Sequence, residues 1–112
     1  MENQMAIESL AALAQATRLD VFRLLVKHEP VGLSAGDIAH RLGAPHNTLS
    51  AHFAVLSRAG LIRGERQSRS IIYRADLGAI QRLVAFLVED CCGARAESCA
   101  PLLADLVCCP KE

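Results

Sequence analysis

The chain has 112 residues, 52% of them hydrophobic and 21% charged, and its twelve Lys+Arg balance its twelve Asp+Glu. That length suits one domain and excludes a large multidomain enzyme, while the composition excludes a disordered tail or a collagen-like fibre, and zero net charge means any nucleic-acid surface must be local. A chain this short buries a smaller share of its surface than a larger one, so its apolar surplus points to an oligomer.

Met5 to Gln15 is rich in Ala and Leu and carries Ile7, Leu10, Ala11 and Ala14 at helical spacing. This predicts a first helix that is apolar on more than one face and so wants a partner subunit. Thr17 is positioned to cap a second helix running to about Lys27, with Asp20 near its positive end and Leu19, Val21, Phe22, Leu24 and Leu25 as its stripe. Pro30 and Gly32 break the chain. Ser34, with Asp37 three residues on, opens a short third helix through Leu42 that Gly43 stops. Pro45 suits the first turn of a fourth helix to about Ala59, ended by Gly60. Two short helices across a Gly-containing turn, the second opening on small polar residues, predict a helix-turn-helix with Ile38, Leu42, Leu49, Phe53 and Leu56 in its core.

Leu61 to Glu65 and Ser70 to Arg74 flank Arg66-Gln67-Ser68-Arg69, and Ile71, Ile72 and Tyr73 favour a strand, so a β-hairpin is expected with Gln67, Ser68 and Arg69 at its tip. Asp76 caps a long helix with Leu77, Ile80, Leu83, Val84, Leu87 and Val88 on overlapping faces, ending near Cys91-Cys92-Gly93; Ala100 to Val107 follows as a further short helix begun by Pro101. The expected architecture is mostly α with a small β-hairpin, a homodimeric winged helix-turn-helix over residues 1–92 with a cysteine-containing extension over 93–112. The first helix and the long helix from Asp76 are expected to pack across a two-fold, burying Ile7, Leu10, Ile80, Val84 and Leu87 against their mates.

The longest run without Asp, Glu, Lys or Arg, Leu42 to Ser57, is too short to span a membrane, and no basic residue precedes Arg18. Neither a membrane partner nor a targeting peptide is expected, and the expected compartment is the cytoplasm. Between Ile38 and Arg74, six arginines (Arg41, Arg58, Arg63, Arg66, Arg69, Arg74) stand against Glu65, a local net charge of +5 with −5 on the remainder. Such a block suggests a DNA surface, the plainer alternative being chance clustering of surface arginines. On the helix-turn-helix expectation, the first half of the fourth helix enters the major groove of double-stranded DNA. His46, Asn47, Thr48, Ser50 and His52 are then candidate base or phosphate contacts, Arg58, Arg66 and Arg69 reach the backbone, and Gln67 and Ser68 complete the wing tip. Asn47 could read adenine or merely help to cap its helix.

The strings Ala14-Gln15-Ala16-Thr17-Arg18-Leu19, Asn47-Thr48-Leu49-Ser50-Ala51-His52-Phe53-Ala54-Val55-Leu56 and Arg58-Ala59-Gly60-Leu61-Ile62, with Tyr73 near the end of the wing, resemble the ArsR/SmtB family of dimeric winged-helix repressors over about Leu10 to Cys92. An arsenic site resembling Cys-Val-Cys at the start of the DNA-binding unit is missing, since Gly36-Asp37-Ile38-Ala39-His40 stands there. A zinc site on the long helix is missing too: with its Asp aligned on Asp76, Gly78 occupies the place of the first His. Asp90-Cys91-Cys92 with Cys99 looks like the vicinal-cysteine site of arsenite-responsive members, and the resemblance implies Cys91, Cys92 and Cys99 as ligands of an As(III) or Sb(III) inducer.

All five cysteines lie between Cys91 and Cys109, and in a reducing compartment they point to soft-metal or redox chemistry before a disulfide framework. Trivalent arsenic takes three sulfurs in a pyramid, so three thiols suffice. Zinc on Cys91, Cys92, Cys108 and Cys109, another soft metal, a redox switch, or no ligand role at all remain the competing readings. A thiol-rich cytosolic metalloid carrier is the alternative of another class, against which the basic block and the wing argue. An enzyme is not expected, because no nucleophile, base and orienting group can be assembled.

Overall fold

The computed structural model describes residues 2–88. Five helices and three short strands follow in the order α1 (Asn3–Leu13), α2 (Ala16–Lys27), β1 (Leu33–Ser34), α3 (Ala35–Leu42), α4 (His46–Arg58), β2 (Ile62–Gln67), β3 (Ser70–Ala75) and α5 (Leu77–Val88). The strands form an antiparallel sheet in the order β1-β3-β2, so the expected hairpin is a wing whose returning strand also pairs with the lead into α3.

Local chemistry accounts for most of the boundaries. Ser34 Oγ accepts the Asp37 N–H at 3.1 Å at the start of α3, which stops at Gly43 as expected. α4 ends in a pair of bonds, Gly60 N–H to Ser57 O and Leu61 N–H to Leu56 O, both 3.0 Å, that require the left-handed turn Gly60 supplies at φ 79°. This turn delivers Leu61 and Ile62, both fully buried, directly from the helix into β2. At the far end of the wing Asp76 accepts the Ala79 N–H through Oδ1 at 3.2 Å, opening α5.

Several expectations are corrected. Thr17 does not cap α2; Gln15 does, its side chain accepting the Arg18 N–H at 2.9 Å. Pro45 lies one position ahead of α4 instead of within it. β2 runs two residues further towards the tip than expected, to Gln67, while β3 begins at Ser70 as expected, leaving only Ser68 and Arg69 as the loop, with Ser68 at φ 60°. β1 had no counterpart in the sequence reading. It is held by tertiary pairing, Leu33 with Tyr73 and Ser34 with Ile72, and Gly32 admits it: a Cβ there would stand 2.5 Å from Tyr73 O.

The core is built where α2, α3, α4 and the wing converge. Val21, Leu25, Ile38, Leu49, Leu56, Leu61 and Ile62 are fully buried, Phe53 nearly so, and Leu42 is only half-buried. α1 lies against α2, α4 and α5 and turns its small residues inward: Ala6, Ser9 and Ala12 are buried, while Met5, Ile7 and Leu10 are 50%, 50% and 44% exposed. α5 buries Ala79 and Leu83, half-buries Ile80 and Val84, and leaves Leu77 and Leu87 exposed. Of the five residues expected at a two-fold, Ile7, Leu10 and Leu87 are therefore free of the chain's own core, and Ile80 and Val84 lie at its edge. The later part of the expected long helix, the short helix over 100–107 and the 93–112 extension lie outside the described residues.

Candidate nucleic-acid interface

α4 buries Leu49, Phe53 and Leu56 and so has one face committed to the core. His46, Asn47, Thr48 and Ser50 stand exposed on the rest of its first two turns. No acidic residue lies in the first turn, so the partial positive charge of the helix N-terminus is left for an external anion. Asn47 Oδ1 accepts the Thr48 N–H at 2.9 Å, which favours the capping side of its two expected roles for the oxygen and leaves the amide nitrogen unassigned. Ser50 Oγ donates to His46 O at 3.4 Å.

Arg66, Gln67, Ser68 and Arg69 are all exposed at the wing tip. The cleft between wing and helix-turn-helix, about 260 Å³, is lined by Ser34, Ala35, Gly36, His46, Arg69, Ser70 and Ile71. The structure thus brings the start of α4, the start of α3 and the wing tip to one concavity. Within the basic block Arg74 is spoken for: its Nη1 pairs with Glu65 Oε1 at 2.5 Å and its Nε donates to Pro30 O at 3.0 Å. Among the described residues Arg41, Arg58, Arg63, Arg66 and Arg69 make no salt bridge.

Of the predicted residues, His46 and Arg69 line this concavity, while Arg58 and His52 have neighbours of their own. Arg58 sits at the opposite end of α4 from His46, roughly 18 Å along the axis at 1.5 Å per residue. It borders a different cleft of about 370 Å³, with Glu8, Ala11, Ala12, Arg18, Val55 and Ala59. His52 is half-buried, its Nδ1 3.4 Å from Nη1 of Arg18. Arg18 is absent from the site residues expected from sequence, where its only signal is membership of the string before α2. Cys91, Cys92 and Cys99 lie outside the described residues, and among the described residues no group of three His, Cys, Asp or Glu could hold a metal ion. No helix among the described residues is long and apolar enough to cross a membrane.

An exposed polar helix N-terminus beside a basic wing, on a three-helix scaffold, defines a winged helix-turn-helix regulator. A helix-turn-helix domain family matches residues 13–65. The chain is similar to the HTH-type transcriptional regulator KmtR of Mycobacterium tuberculosis, at 32% identity over 80 residues covering 71% of this chain and 59% of that protein. It therefore spans less than two thirds of the length of that relative. It is also similar to the uncharacterized HTH-type transcriptional regulator YbzH of Bacillus subtilis, at 31% identity over 72% of this chain and 93% of that one. A solved possible transcriptional regulator for arsenical resistance superimposes with a TM-score of 0.63 at 26% identity, over 88% of this chain and 95% of that chain. The chain belongs to the helix-turn-helix family of HTH-type transcriptional regulators.

Proposed function

We propose that this protein is a homodimeric repressor that binds double-stranded operator DNA through α4 and the wing and releases it when Cys91, Cys92 and Cys99 capture trivalent arsenic or antimony. The observation that carries the DNA half is the shared cleft of His46 and Arg69, which puts the polar start of α4 and the cationic wing tip on one side of the molecule. A helix N-terminus and an unpaired guanidinium suit phosphate, while the exposed Asn47 amide, Thr48 and Ser50 suit base edges. The dimer is supported by the large apolar side chains that α1 and α5 turn away from the core, Ile7, Leu10 and Leu87 foremost.

The sensing half rests on the clustering of all five cysteines in the last 22 residues and on the likeness to a regulator named for arsenical resistance. Arsenous acid is neutral, and its three hydroxyls leave as three waters when three thiols condense with it, giving a neutral trithiolate. A change at the end of the dimer helix then alters the relation of the two recognition helices to their half-sites. Linkage makes the effect reciprocal, so DNA-bound dimer takes up arsenite more weakly than free dimer by the same factor.

The test is retardation of a duplex enriched from a random library by the wild-type protein, with and without arsenite. Cys91→Ser or Cys92→Ser is expected to retain DNA binding and lose release, and Cys108→Ser to behave as wild type. Release that survives in Cys99→Ser and disappears in Cys108→Ser/Cys109→Ser moves the third sulfur to the C-terminal pair. Release by zinc or by an oxidant, with none by arsenite, replaces the metalloid by those effectors. A protein that binds arsenite and enriches no duplex is a carrier.

A further inference from the structure

Arg18 joins the two helices on which the proposed function depends. Its Nε donates to Ala12 O at 2.6 Å and its Nη2 to Ala11 O at 3.4 Å, so the guanidinium covers carbonyls at the negative end of α1. Its remaining nitrogen, Nη1, lies 3.4 Å from Nδ1 of His52, midway along α4. The backbone N–H of Arg18 is fixed in turn by the Gln15 side chain. The arginine is half-buried, its backbone held at the start of α2 and its three nitrogens directed to α1 and α4.

A guanidinium has donors and no acceptor, so the imidazole nitrogen that faces it must offer a lone pair. The ring proton of His52 then resides on Nε2. We infer that Arg18 is a positioning residue for DNA recognition, which locks His52 in the Nε2–H tautomer and registers α4 against the end of α1. The inference rests on the reading of α4 as the DNA-facing helix. It gives His52 a definite role within that reading: a hydrogen-bond donor of fixed identity, matched to acceptors such as a phosphate oxygen or the N7 and O6 of guanine. It also supplies a single side chain through which a shift of α1, the helix with the outward apolar residues, reaches α4.

Two measurements on the full chain test it. Nitrogen-15 NMR of labelled histidine is expected to find His52 Nδ1 bare and Nε2 protonated, and to find that preference lost in Arg18→Met. On the library-selected duplex, Arg18→Met and His52→Phe are each expected to bind roughly tenfold more weakly, as for loss of a charge-assisted hydrogen bond, and the double variant no more weakly than either single one. His52→Gln, whose amide can accept from Arg18 and donate beyond it, is expected to keep most of the affinity. Should Arg18→Met fail to unfold cooperatively, the wild-type tautomer and the contrast between His52→Phe and His52→Gln decide the matter. A proton on Nδ1, an unchanged tautomer in a folded Arg18→Met, additive losses, or equal binding by the Phe and Gln variants overturns the inference. If the wild-type protein enriches no duplex, the DNA reading falls, while the tautomer still judges the contact between Arg18 and His52.

Discussion

Tyr73 on β3 and Gly64 on β2 are register partners, and the tyrosine ring occupies the space a side chain at Gly64 would need: a Cβ there would stand 2.8 Å from Tyr73 Cε1 and 3.0 Å from Ile71 Cγ2. The same ring packs on Phe53 of α4, with centroids 4.5 Å apart and planes inclined at 35°. The missing side chain of one strand thus lets the aromatic of the other brace the wing against the recognition helix.

Gly64→Ala is accordingly expected to destabilise the fold by about 1–3 kcal/mol, the usual cost of overpacking. The ring is wedged between strand and helix and cannot yield without loosening the contact with Phe53. Urea denaturation checks this, and a midpoint equal to that of the wild type would mean the ring is not confined.

Tyr73 also provides a pH test, because burial pushes its phenol above the ordinary value of 10.0. As pH rises past 10 the unfolded chain releases the proton while the folded chain retains it, so stability falls from that pH upward and is untouched below it. Tyr73→Phe removes this part of the alkaline loss. Tyr73 is the single tyrosine and tryptophan is absent, so phenolate absorbance reports this group alone. Its midpoint is expected to drop when the protein is unfolded in urea, and coincident midpoints would contradict the burial.

Ile7→Glu and Leu87→Glu are expected to yield folded monomers of 12.0 kDa in sedimentation at concentrations where the wild type is a dimer. Both side chains lie outside the chain's own core, so helical circular dichroism should persist. Ala6→Glu, on the buried side of α1, should instead lower stability outright. Wild-type sedimentation at 12.0 kDa in the micromolar range would remove the dimer from the proposal.

Arg69→Ala is expected to weaken binding to the selected duplex and to reduce the slope of log affinity against log salt by about one, as for a lost phosphate contact. Arg63→Ala, outside the cleft that unites α4 and the wing tip, serves as the comparison. If neither affinity nor slope changes in Arg69→Ala, the wing tip is not at the backbone.

The elements legible in the sequence are those whose ends are fixed by one nearby side chain or glycine. Ser34 and Asp76 open their helices, and Gly43 and Gly60 follow α3 and α4 where expected. Thr17 has the better residue type for a cap, but it lies inside α2, whereas Gln15 occupies the N-cap position three residues before Arg18 and its carboxamide reaches that free N–H. β1 could not be read because two residues carry no periodicity and their pairing partner lies on the far side of the recognition helix in the chain. For the site, exposure of the polar residues on α4 follows from the spacing of Leu49, Phe53 and Leu56. The contact between Arg18 and His52 spans 34 positions, and neither residue type announces the other.

The buried face of α1, with Ala6, Ser9 and Ala12, brings little apolar area to the body of its own chain, and although Leu13 packs on the core, Met5, Ile7 and Leu10 face outward. Hydrophobic stabilisation scales with area removed from water, so in the proposed dimer a second copy would add substantially to what holds this helix in place. In that dimer its anchorage would depend on how much protein is present. Dilution below the dissociation constant of the pair would loosen α1 first, before the core unravels, and would release along with it the arginine that steadies α4.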